Sequence, residues 1–190
     1  LSSLQFNAVE GLKIRLKANW TKRDTLFRKW TIRPVVDYGF ADNIIKPTIF
    51  AEYHFDNYTL GKISLFAGRE YQQFEPRNPI NELNNTWNSL WNKINKRRLF
   101  QNQFALINYE QEVSNGFYLD VSTSYTERSP LHINTQYSWR KQACLYEENI
   151  PLTDLAPSAY KANTFWINSV KMLIRPAQKF SSYPHMKIRD

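Results

Sequence analysis

The chain is poor in the residues that punctuate and cross-link proteins: it has one cysteine, five glycines and three histidines in 190 residues. A single thiol, Cys144, excludes an internal disulfide framework. His54, His132 and His185 stand far apart without ligand spacing, which argues against a metal site, and no cofactor is implied. Neither a Gly-rich phosphate loop nor a nucleophile-elbow motif is present. No run approaches about eighteen consecutive apolar residues, and mean hydropathy is −0.58, so transmembrane helices are excluded. Barrel strands are not excluded, because half of their residues face a polar interior. The chain opens at Leu1 rather than Met, without a secretory signal, and reads as a mature protein or an excised fragment.

What the chain has is aromatic residues and positive charge. It carries 12 Phe, 11 Tyr and 6 Trp, with a net charge of +8. Basic, aromatic-rich proteins bind nucleic acid when the cations cluster on one helix or loop face. Here they fall at alternate strand positions, so no nucleic-acid partner is expected.

Residues 12–21 show that alternation most clearly. Leu12, Ile14, Leu16, Ala18 and Trp20 share one face of a strand, and Lys13, Arg15, Lys17, Asn19 and Thr21 share the other. Strands of soluble sandwiches usually run about 5–6 residues; this one is long enough to cross a bilayer at a tilt. Further alternating segments follow at about 30–40, 45–55, 63–70, 103–113, 117–128 and 164–175. Pro34 interrupts the second and suggests an edge, a bulge or a strand start. Phe104 and Leu106 blur the fifth. Asn115-Gly116 is a hairpin signal of the type I′ kind. The period changes between Ile80 and Ile94, where Ile80, Leu83, Trp87, Leu90, Trp91 and Ile94 have helical spacing. Asn78 as cap with Pro79 at the first helical position starts a loop helix at about 79–97. A long irregular loop spans about 129–162, and both long connections leave from the same end of an antiparallel meander.

The reading is therefore all-β: an antiparallel meander forming a partial transmembrane β-barrel of about seven strands, one domain over 1–190, with a short amphipathic helix in a long loop. Lys13, Arg15, Lys17, Arg33 and Lys46 would face the lumen, where they could favour anions. The competing reading, ranked higher, pairs them with Asp37, Glu52, Glu70, Glu110 and Asp120, because buried charges are normally paired. Glu10, Glu52, Glu70 and Glu110 show no spacing that would bring two carboxylates together for glycoside hydrolysis. No catalytic residue is assigned. Trp87 and Trp91 could touch a membrane surface or a partner protein; packing of the helix's apolar stripe on the barrel rim ranks slightly above that.

Several segments in order carry a resemblance: Phe6-Asn7-Ala8-Val9-Glu10-Gly11, Gly68-Arg69-Glu70, Gln73-Phe74, Asn78-Pro79-Ile80, Asn115-Gly116 with Tyr118, Tyr125-Thr126-Glu127-Arg128-Ser129-Pro130-Leu131, and Arg175-Pro176-Ala177-Gln178-Lys179-Phe180-Ser181-Ser182-Tyr183-Pro184. The set resembles the barrel part of a Bacteroidota outer-membrane family of unknown function, whose members usually carry a carboxypeptidase-regulatory-like domain ahead of the barrel. The resemblance implies a bacterial outer-membrane location, lipid as a partner, contacts with other envelope proteins through the loop helix, and a non-enzymatic role in transport or envelope biogenesis. The alternative from the residues alone is a soluble β-barrel or sandwich acting as a ligand-binding module.

Overall fold

The computed structural model describes residues 4–24, 28–56, 59–74, 79–140, 144–150 and 162–174. They form one antiparallel sheet of nine strands: β1 (Leu4–Asn7), β2 (Gly11–Lys17), β3 (Trp20–Arg23), β4 (Lys29–Gly39), β5 (Ile45–Asp56), β6 (Gly61–Gln73), β7 (Leu99–Ser114), β8 (Phe117–Pro130) and β9 (Asn163–Ile174). Every alternating segment of the sequence is a strand. The alternation at 12–21 is divided between β2 and β3, yet the register against β4 does not slip: Lys17 lies opposite Val35 and Trp20 opposite Ile32. The gap falls at Pro34, which has no N–H to give the ladder and accepts from Ala18 N–H at 3.0 Å.

The expected barrel is corrected to an open sheet. Strand order runs from β1 to β9 without return, and among the described residues the two ends do not pair. Short β1, which the alternation did not reveal, folds back on β2 with Phe6 opposite Leu12. Its outer edge is covered by helix α1 (Glu82–Trp87). Thr86 Oγ1 accepts from Phe6 N–H at 3.0 Å and stands where a strand partner would.

The loop helix is shorter than its periodicity. It starts after Asn81, whose side chain accepts from Leu83 N–H at 2.8 Å, and passes into a π-helical turn at Asn88–Asn92. Ile80 stays outside because the Gln73 amide pairs with both its backbone groups, at 3.0 and 3.1 Å. At the other end Lys93 adopts φ 54°, which stops the helix. Its packing also departs from the apolar-stripe expectation: Asn85, Ser89 and Leu90 are buried, whereas Leu83, Trp87, Trp91 and Ile94 are exposed. Nor is the turn at Asn115-Gly116 of type I′, which needs positive φ at both residues. Only Gly116 has it, at 78°, and a register shift between Glu112 and Ser114 absorbs the twist.

Both long connections leave the same end of the sheet, where they build a small core of Phe6, Ala8, Leu90 and Tyr146 with Ile133 packed on it. Elsewhere the sheet is polar inside and apolar outside. Lys46 is 1% exposed, whereas Leu16 is 67% and Trp166 68% exposed. No helix among the described residues is long and apolar enough to cross a membrane.

Candidate functional site

Directly opposed residues of an antiparallel sheet share a face, so register arranges the polar face in rows across the strands. The row nearest the small core joins Arg15, Asp37 and Lys46. Two pairs further along β4 come Arg33, Phe50, Phe66, Leu106 and Ser124. Next is a row of small polar side chains, Thr31, Glu52, Ser64, Asn108, Ser122 and Ser169. The last is charged: Lys29, His54, Lys62, Glu110, Asp120 and Lys171.

Charges in the first row are spent on one another. Arg15 grips Asp37 with two parallel bonds, Nε to Oδ1 and Nη2 to Oδ2, both 2.7 Å. Lys13 Nζ lies 3.6 Å from Asp37 and 3.7 Å from Glu10. Lys46 Nζ sits between Glu10 Oε1 at 2.9 Å and Asp42 Oδ2 at 2.8 Å, and 4.2 Å from the centroid of the Tyr71 ring. Three cations thus meet three carboxylates. Burial alone would raise the Asp37 carboxyl, but the Arg15 hydrogen bonds and the Lys13 charge outweigh it and hold Asp37 below its ordinary value. Burial and the negative charge of Asp42 push the Tyr71 hydroxyl far up, so it stays protonated.

Most of the last row is paired as well, Lys29 being without a carboxylate partner among the described residues. Lys62 Nζ lies 2.9 Å from Glu110 Oε1, Asn108 Nδ2 donates to the same oxygen at 2.8 Å, and Tyr118 donates to Oε2. Burial would raise Glu110, but the Tyr118 and Lys62 hydrogen bonds lower it overall. His54 Nε2 stands 2.8 Å from Glu52 Oε1.

Between the paired rows lies a strip of rings. Phe50 and Phe66 meet at 6.4 Å between centroids, and Phe66 and Phe104 at 4.6 Å. Phe104 stands opposite Gly68, whose φ is 150°; a Cβ there would fall 2.3 Å from the Pro47 carbonyl oxygen. Glycine is therefore required at this position, directly across the ladder from the aromatic residue. Arg33 lays its guanidinium over Phe50, 4.3 Å from the centroid, and Arg128 stacks between Phe100 and Phe165 at 5.0 and 5.2 Å. Buried oxygens on this face without a hydrogen-bond partner in the protein include Thr31 Oγ1, Asn102 Oδ1 and Asn108 Oδ1.

The structure places all five basic residues singled out in the sequence on this one face and divides them. Lys13, Arg15 and Lys46 sit in the paired row. Lys17 and Arg33 have no carboxylate partner among the described residues. Trp87 and Trp91 stack outside it, centroids 5.6 Å apart and planes 5° apart, with Trp139 edge-on to Trp87. The ring strip was missed, although its signal was present: Phe50, Phe66, Phe104 and Leu106 are apolar residues in the polar phase of their strands. Among the described residues, no group of three or more His, Cys, Asp and Glu could hold a metal. His185 and the segment from Arg175 to Pro184 lie outside the described residues.

The open sheet corrects what followed from a barrel. Strands cross hydrocarbon only as a closed ring, because an edge leaves backbone groups unsatisfied. The transmembrane reading rested on a barrel, and the outer-membrane location, the lipid partner and the role in transport or biogenesis rested on the resemblance; the open sheet formed by the described residues corrects the first and supports none of the others. No curated protein and no solved structure matches the chain. The expected Bacteroidota outer-membrane family is replaced by one whose model matches residues 1–190 and is described as family of unknown function (DUF5686) C-terminal domain. With the whole length matched and an all-β fold, the chain belongs to that DUF5686 family.

Proposed function

We propose that this domain is a non-enzymatic ligand-binding module whose binding surface is the polar face of the sheet, with Lys17 and Arg33 giving it an anion preference. One observation carries the reading. On a face where Lys13, Arg15, Lys46 and Lys62 are neutralised by carboxylates, Arg33 rests on the Phe50 ring instead, beside a strip of further rings. An arginine on an aromatic face keeps donors free for an incoming anion, and the rings offer it an apolar floor. The acids fit binding better than catalysis, since Asp37 is held ionised by Arg15 and Lys13, and Glu110 by the Tyr118 hydrogen bond and Lys62, rather than poised to carry a proton.

Calorimetric titration with 2-naphthoate and its neutral amide tests this. A hydrogen bond to a charged group contributes about 1.5–3 kcal/mol, so naphthoate binds roughly tenfold more tightly than the amide or better. Arg33→Met removes the difference. Equal affinities would overturn the anion preference, and absence of binding by both would overturn the surface itself.

A further inference from the structure

We infer that the ligand of this face is an acidic saccharide, a sugar ring carrying a carboxylate. The inference rests on the reading of the polar face as a binding surface and names what that surface takes.

Three features lie side by side in a fixed order. The first is the ring strip, Phe50, Phe66 and Phe104, continued by Leu106. The second is the adjacent row, in which Ser64, Asn108, Ser122 and Ser169 stand opposite one another in turn and Glu52, next to Ser64, is engaged by His54 at 2.8 Å. The third is the Arg33 guanidinium at one end of the strip, with Lys17 on the same face. Same-face rows are two residues apart, roughly 7 Å, and strands are roughly 4.8 Å apart. One ring and the polar side chains beside it therefore span about one sugar unit.

A pyranose presents an apolar C–H face and a rim of hydroxyls. The Phe66 and Phe104 rings suit the C–H face, and the hydroxyl-amide row suits the rim. The hydroxyls of that row can both donate to and accept from the rim. A purely aromatic anion would use the strip and the arginine and leave the hydroxyl-amide row idle. An aliphatic chain would find apolar cover along one row only. The acid follows from the free cations, since Lys17 and Arg33 have no carboxylate partner among the described residues while Lys13, Arg15 and Lys46 do.

The test is titration of the whole chain with a uronic-acid oligomer, its neutral methyl ester, and 2-naphthoate as control. The oligomer is expected to bind and the ester to bind about tenfold more weakly. Phe66→Leu keeps an apolar side chain but removes the ring, and should weaken the oligomer about threefold to tenfold. Phe66→Trp should restore it at an unchanged melting midpoint, which a merely structural role for the ring would not produce. Binding of naphthoate without either saccharide would overturn this inference and leave the binding surface standing. Binding of none would overturn both, and equal binding of oligomer and ester would overturn the acid.

Discussion

At the scale of single residues, Asp37 shows how the polar face withstands being buried. It is 6% exposed, yet it stays ionised because Arg15 and Lys13 reach it from the neighbouring strand. Its carboxyl is lowered in the folded state, while in the unfolded chain it returns to about 3.9. A lowered acid contributes stability that is fully present above the unfolded value and is lost as pH falls through the folded one. Unfolding free energy should therefore be flat in this respect between about pH 7 and pH 5 and fall below about pH 4. Urea titrations from pH 7 to pH 2.5 measure it. In Asp37→Asn the curve should be lower at neutral pH, because Arg15 and Lys13 lose a buried counter-charge, and flatter in acid. An acid limb equally steep in the variant would show that other carboxylates, Glu110 first among them, control the transition. Tyr146 shows burial in the opposite role: its hydroxyl is pushed up to about 12 and remains a proton donor beside the Ser89 and Tyr137 carbonyls, at 2.7 and 2.8 Å.

At the scale of elements, side chains repeatedly stand in for missing strands. The Asn149 amide accepts from Leu99 N–H at 2.7 Å and donates to its carbonyl at 2.6 Å. Gln73 does the same for Ile80, Asn134 Nδ2 donates to the Val9 carbonyl at 2.8 Å, and Thr86 serves Phe6. Thr86→Val keeps the shape of the side chain but leaves the Phe6 N–H without an acceptor, at a cost of about 1–3 kcal/mol. Faster amide exchange at Phe6, with the β6–β7 amides unchanged, is the expected signature. Unaltered exchange at Phe6 would mean that α1 is not what closes this edge. These substitutions also explain what the sequence could and could not reveal. Alternation marked the strands from 12–21 onward because one face of each is uniformly apolar. It missed β1, whose four residues are too few to show a period, and it overran the helix, because nothing in Ile80 announces that Gln73 will hold it outside. For the site, the five basic residues were visible one strand at a time. Which of them find carboxylates depends on register across β2, β4 and β5, and on Glu10 and Asp42 arriving from turns. Phe104 and Leu106 looked like defects in an alternating strand until the cross-strand partners Gly68 and Phe66 gave them a common surface.

At the scale of the whole molecule, the sheet carries its charges inward and its aliphatic side chains outward. Ile45, Leu16, Trp166, Met172 and Ile174 are all more than half exposed. That apolar face contrasts with the polar one, which carries the paired charges and the rings. The two edges differ too. β1 is short and covered by α1, but β9 runs twelve residues in unbroken register on β8, with its far side unpaired among the described residues. β9 lacks the usual protections of an edge: it has no proline, no bulge and a single charge, Lys171. Stability should therefore be graded across the sheet, since amides bonded on both sides open only with the whole structure and edge amides open locally. In native-state hydrogen exchange, amides of β6 and β7 should be the slowest, and the β9 amides that point away from β8 should exchange many times faster. Protection of those outward β9 amides equal to that of β7 would mean that another strand lies against β9 in solution, and that the open sheet is not its working form.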